Sequence, residues 1–248
     1  MFIKHSRSIL FVLKQSFFTR RKACRASASL FMFVFFSMLN IHLYAQQKNI
    51  TDSAYEKVIT ERSAKIVNTL NISDSVIYKK VKDQIKNQYF QLSQIHDQYN
   101  LAVNDIKKNS SSKDSINGAL LMEVDKKSIC LKQLHNHFIV QLAELISATD
   151  LDKIKDGMTY NILPLTWHAY TDMLQNLTQE QKSQMYKWLL EARELAMDQG
   201  SSEKKHEVFG KYKGKINNYL SAAGYNMKKE GEDWAKRIEA SRKKQIDL

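Results

Sequence analysis

A single proline, seven glycines and two cysteines are all that this 248-residue chain holds of the residues that punctuate or cross-link a fold. Scarce proline and glycine argue against a sandwich or barrel, which needs a turn every few residues. They also exclude collagen-like and proline-rich linker sequence. Two cysteines, Cys24 and Cys130, exclude a disulfide framework and a thiolate zinc cluster. The sequence has no His-Glu-x-x-His, Cys-x-x-Cys or EF-hand spacing and no Gly-x-Ser-x-Gly elbow. A dedicated metal site and a hydrolase triad therefore have no support, and no cofactor is expected.

What is present begins with an asymmetry of charge. Residues 1–45 carry Lys4, Arg7, Lys14, Arg20, Arg21, Lys22 and Arg25 but no acid. An apolar stretch, Leu30 to Tyr44, follows, then Ala45 and the polar "QQKN". A basic start, a short apolar core and a small residue before a polar start is the layout of a secretory signal peptide. The stretch is shorter than the ~20 apolar residues of a membrane-spanning helix. Export to the periplasm or cell envelope, or secretion, is the expectation, with the membrane met only through this signal. Those seven basic residues supply much of the formal charge of +12. The later lysines are interspersed with acids, so no nucleic-acid partner is expected.

The rest, 46–248, reads as one all-helical domain. Two Asn-Ile-Ser/Thr-Asp-Ser boxes, at Asn49 and Asn71, offer Asp52 or Ser53 and Asp74 or Ser75 as helix caps. Val81, Ile85, Gln88, Leu92, Ile95, Tyr99, Ala102 and Ile106 fall on alternating steps of four and three. After the polar "KNSSSKDS" a second such seam runs through Leu121, Val124, Ser128, Leu131, His135, Phe138, Leu142 and Leu145. Together they predict a long antiparallel helical hairpin over 46–148. Over 149–248 shorter helices are expected to pack on it as a bundle. They comprise one stopped by Gly157, one capped by Thr178 with Gln181 and closed at Gly200, one opening at Ser201 or Ser202, and a last from Met227 to Lys244. The aromatic "TYNILPLTWHAY", with Pro164, is expected as a loop.

Within "FGKYKGKINNYL" two glycines interrupt a helical pattern, at about 1 kcal/mol each relative to alanine. On that helix His206, Gly210, Lys213, Gly214 and Asn217 share a side. The bare backbone there fits close approach of another helix or of a polar ligand. Tyr160, Trp167, His168 and Tyr170 form a second candidate surface, since flat rings beside polar donors suit the C–H faces and hydroxyls of a sugar. Core filling is the competing reading. Glu191, Glu194 and Asp198 share another helical face. They suit acid and base roles on a sugar if they line the same cleft, or ion pairs with Lys211, Lys213 or Lys215. His135, on an apolar seam, is expected as a satisfied core histidine. His135 and His137 point too far apart to share a metal.

The segments "KDGMTYN", "EARELAMDQGSSEKKH" and "FGKYKGKINNYLSAAGY" resemble a family of exported Bacteroidota proteins of unknown function, catalogued as sugar-binding and often encoded near polysaccharide-degradation systems. The resemblance is dense from Thr149 to Ile238, and it implies no catalytic residue. Asp52-Ser53-Ala54, Asp74-Ser75-Val76 and Asp114-Ser115-Ile116 resemble the O-glycosylation sites of Bacteroidota envelope proteins, and are equally helix caps. "LTQEQ", from Leu177, is similar to the signature of helical periplasmic chaperones of the Spy kind, although a capping box explains it too. The expected function is thus non-catalytic binding of an oligosaccharide or uronate-containing glycan. The alternatives are a Spy-like chaperone, a structural partner-binding protein and a carbohydrate-active enzyme.

Overall fold

The computed structural model describes residues 53–109 and 112–246. The predicted signal at 1–45 lies outside the described residues, as does Asp52. From Val58 onward the chain forms one compact unit. Every regular element among the described residues is helical, and the fold is all-α.

Helix α1 covers 53–67. It tightens into a 3-10 turn at Asn68–Leu70, and Asn71 stops it at φ 54°, a left-handed conformation that asparagine tolerates. α2 is Ser75–Asn109. Asp74 caps it, accepting from the backbone N–H of Val76 at 2.7 Å and Ile77 at 3.1 Å. Ser112 caps α3, Lys113–Ala143, through the N–H of Ser115.

α2 and α3 pack along one another, but their seams are not buried evenly. Val81, Ile85, Gln88 and Leu92 on α2, with Phe138 and Leu142 on α3, are in the core. Further out, Leu121 is 66% and Val124 43% exposed. The later helices cover only part of the pair, which is why a continuous apolar seam ends up half in water.

Ser147 caps α4, Ala148–Met158. Gly157 lies inside this helix and does not stop it. A Cβ there would stand 2.9 Å from Cγ1 of buried Ile66, so glycine is required by the approach of α1. The expected aromatic loop is largely a helix: α5 spans Ile162–Met173. Pro164 sits in its first turn, where a backbone N–H has no intrahelical acceptor and proline costs nothing.

α6, Gln179–Met197, opens with a complete capping box between Thr178 and Gln181. Gly200 is not a left-handed cap; the ring of His96 fills the space where its Cβ would be, at 2.8 Å. α7 is Ser202–Ala222, capped by Ser201, and α8 is Met227–Ile246. Met185, Leu189, Ala192 and Ala196 of α6 meet Phe209, Ile216 and Leu220 of α7 and Leu163 and Tyr170 of α5 in the main apolar cluster.

Candidate functional site

Two places concentrate polar side chains around recessed surface. One is a cleft of about 420 Å³ between α5, α7 and α8. Leu165, Ala169, Tyr170 and Met173 of α5 form one wall, Lys213 and Asn217 of α7 another, and Met227 and Trp234 of α8 the third. The Tyr170 hydroxyl donates to Asn217 Oδ1 at 2.6 Å. That bond occupies the amide oxygen and leaves the amide nitrogen of Asn217 as a donor. Burial pushes the Tyr170 phenol up to about 12, so it remains a proton donor at any physiological pH. Trp234 is fixed by its indole N–H, which donates to Asp172 Oδ2 at 2.6 Å. Arg237 locks α8 to the end of α5 through the carbonyls of Asp172 and Met173, at 3.1 and 3.0 Å.

The residues singled out from sequence are distributed as follows. Tyr170, Lys213 and Asn217 meet in this cleft. Tyr160 and His206 meet each other at a ring separation of 5.6 Å. Trp167 packs edge-on against Tyr186 of α6 at 5.0 Å and does not line the cleft. His168 is exposed beside it in sequence. Gly210 and Gly214 are exposed, and a Cβ at either would meet nothing within 4 Å. Among the described residues no helix presses on that strip. Trp234 was not among the candidate residues read from the sequence; its place in the cleft depends on where α8 folds back.

The second place is ionic. His135 of α3 stands between two carboxylates of α6, its Nδ1 3.0 Å from Asp198 Oδ1 and its Nε2 3.2 Å from Glu194 Oε2. Hydrogen bonds to Asp198 and then Glu194 outweigh burial and raise the imidazole to about 9. With both ring nitrogens donating, the ring is an imidazolium with no lone pair to offer. Burial works against the Glu194 carboxylate, but His135, Lys155 and Arg193 together hold it at about 2. Lys155 reaches Glu194 at 2.9 Å. Buried Arg193 takes Asp156 at 2.9 Å and Asp152 at 2.6 Å. The partners of the α6 acids therefore come from α3 and α4, and not from the α7 lysines at 211, 213 and 215. Glu191 faces the other way, hydrogen-bonded with Tyr212.

Close by, Lys205 is 4% exposed and donates to the carbonyl of Met197 at 3.1 Å. Burial lowers its ammonium to about 8. His96 donates from Nε2 to the carbonyl of Asp198 at 2.8 Å, which satisfies the C-terminal end of α6. This network ties five helices together, and each of its carboxylates is ion-paired. Among the described residues no group of His, Cys, Asp and Glu is arranged to hold a metal ion.

A helical protein with an ion-paired interhelical junction and a separate polar–aromatic cleft is the class defined by these features. The family model described as "Protein of unknown function (DUF3826)" matches residues 56–240, and the chain belongs to that family. The match takes in α2 and α3, beyond the segment from Thr149 where the resemblance was dense. No curated protein matches the chain.

Proposed function

We propose that this protein is an exported, non-catalytic binder of a carbohydrate, held in the cleft between α5, α7 and α8. The observation that carries the reading is the company Trp234 keeps. In one recess an indole fixed by Asp172 stands with two donors, the Lys213 ammonium and the Asn217 amide nitrogen, that have no partner among the described residues. An aromatic surface for C–H faces and unengaged donors for hydroxyls are what a sugar ring needs. Export rests on the basic-then-apolar leader. Glu194 and Asp198 do not line this cleft, so the carbohydrate-enzyme alternative lacks its acids there.

Titration calorimetry of the purified chain against a panel of plant and host oligosaccharides tests the reading. Binding is expected from at least one, weakened about tenfold or more by Trp234→Ala, the loss of one well-placed stacking contact. Affinity that is indifferent to that substitution places the ligand elsewhere and ends the proposal for this cleft. A second reading, Spy-like client binding, is favoured by Leu101, Leu121, Met122 and Ile129, exposed on the outer parts of α2 and α3. Suppression of aggregation of a denatured substrate, abolished by polar replacements at those positions, would favour it over the first.

A further inference from the structure

Beyond that cleft, α5 has a second recess at its other end, a cavity of about 520 Å³. Lys65 of α1 and Lys153 of α4 reach into its lining, with Thr69, Tyr160 and Asn161. Its acid, Asp156, is already engaged by Arg193 at 2.9 Å. Lys153 shares its charge with Asp150 at 3.0 Å, and Lys65 has no ion-pair partner among the described residues. Two ammonium groups thus face a cavity whose carboxylate is already ion-paired. An anionic group gains an ion pair with each ammonium there, whereas a neutral one gains only hydrogen bonds from them.

Both recesses adjoin one face of α7. Tyr160, in the wall of the cationic cavity, lies against His206. Lys213 and Asn217, in the wall of the cleft, are seven and eleven residues further on, which returns them to the same side of the helix. At 1.5 Å per residue, His206 and Asn217 are roughly 16 Å apart, more than one sugar ring covers. Between them is Gly210, over which nothing stands within 4 Å.

We infer that the two recesses are the ends of a single groove that takes a linear acidic oligosaccharide, with a uronate carboxylate at Lys65 and Lys153 and a ring on Trp234. This rests on the carbohydrate reading above and adds to it an acidic ligand, a direction along α7 and a minimum length.

The test uses the full chain with three probes: galacturonate, its linear tetramer, and an uncharged tetrasaccharide. The acidic tetramer is expected to bind about tenfold or more tightly than either of the others, and to weaken as salt rises. Lys65→Ala with Lys153→Ala, two exposed positions, is expected to remove that preference without lowering the melting temperature. Gly210→Leu, which puts bulk in the open middle of the groove, is expected to weaken the tetramer and leave the monomer unchanged. Equal affinity for both tetramers, or an acidic preference that survives the double lysine change, overturns the anionic end while Trp234-dependent binding still stands. A tetramer indifferent to Gly210→Leu overturns the span. Absence of any Trp234-dependent binding overturns the carbohydrate reading itself, and the groove with it.

Discussion

At the scale of single residues, the energetics centre on charges taken out of water. His135 is the clearest case, because its side chain is 17% exposed and touches two carboxylates. Its folded pKa, about 9, is raised above the ordinary histidine value of 6.5. The folded state therefore holds a proton that the unfolded chain releases. The stabilisation is complete below pH 6.5 and is lost as pH rises through 9. A shift of that size corresponds to a contribution on the order of 3 kcal/mol. His135→Ala is expected to cost about that much at pH 6, leaving Glu194 and Asp198 to repel one another. The gap between variant and native chain should narrow by a similar amount toward pH 9.5, read from urea denaturation at several pH values. An equal penalty at both ends of the range would mean that His135 contributes by packing alone.

Among the elements, the glycines divide into two kinds, and the division can be tested. Gly157 in α4 is fixed by Ile66, whose Cγ1 is 2.9 Å from where a Cβ would be. Ile66 is itself buried and β-branched, so it has little room to yield. Gly210 in α7 has open space instead. Gly157→Ala is expected to destabilise by about 1–3 kcal/mol, whereas Gly210→Ala stabilises by about 0.5–1 kcal/mol through helix propensity. Thermal melts of the two variants should move in opposite directions. A destabilised Gly210→Ala would reveal a contact on that strip. Helix starts were legible in the sequence because capping is local chemistry: Asp74, Thr178 and Ser201 each act within three residues of themselves. Gly157 and Gly200 were misread as helix ends because their reasons, Ile66 and His96, are more than ninety positions away in the chain.

For the whole molecule, the same contrast between near and far determines how much of the cleft the sequence disclosed. Tyr170, Lys213 and Asn217 were found through composition and helical spacing. Trp234 was not, because it enters the cleft only once α8 folds back across α5. That attachment is shallow: among the residues of α8 whose burial is described, 227–243, none belongs to the buried core. It is held instead by the Trp234–Asp172 bond and the two Arg237 bonds to the end of α5. Ending the chain after Asn226 should therefore leave the main cluster between α5, α6 and α7 intact. The shortened protein is expected to keep its helical circular dichroism and a cooperative melt, with the midpoint lower by only about 2–4 °C, as for the loss of roughly 1 kcal/mol. Its saccharide affinity, in contrast, should fall at least as far as in Trp234→Ala, since the third wall of the cleft goes with the helix. Collapse of the melt would mean that α8 is part of the core's cooperative unit. An intact melt with undiminished binding would instead move the ligand off the α5–α7–α8 cleft altogether.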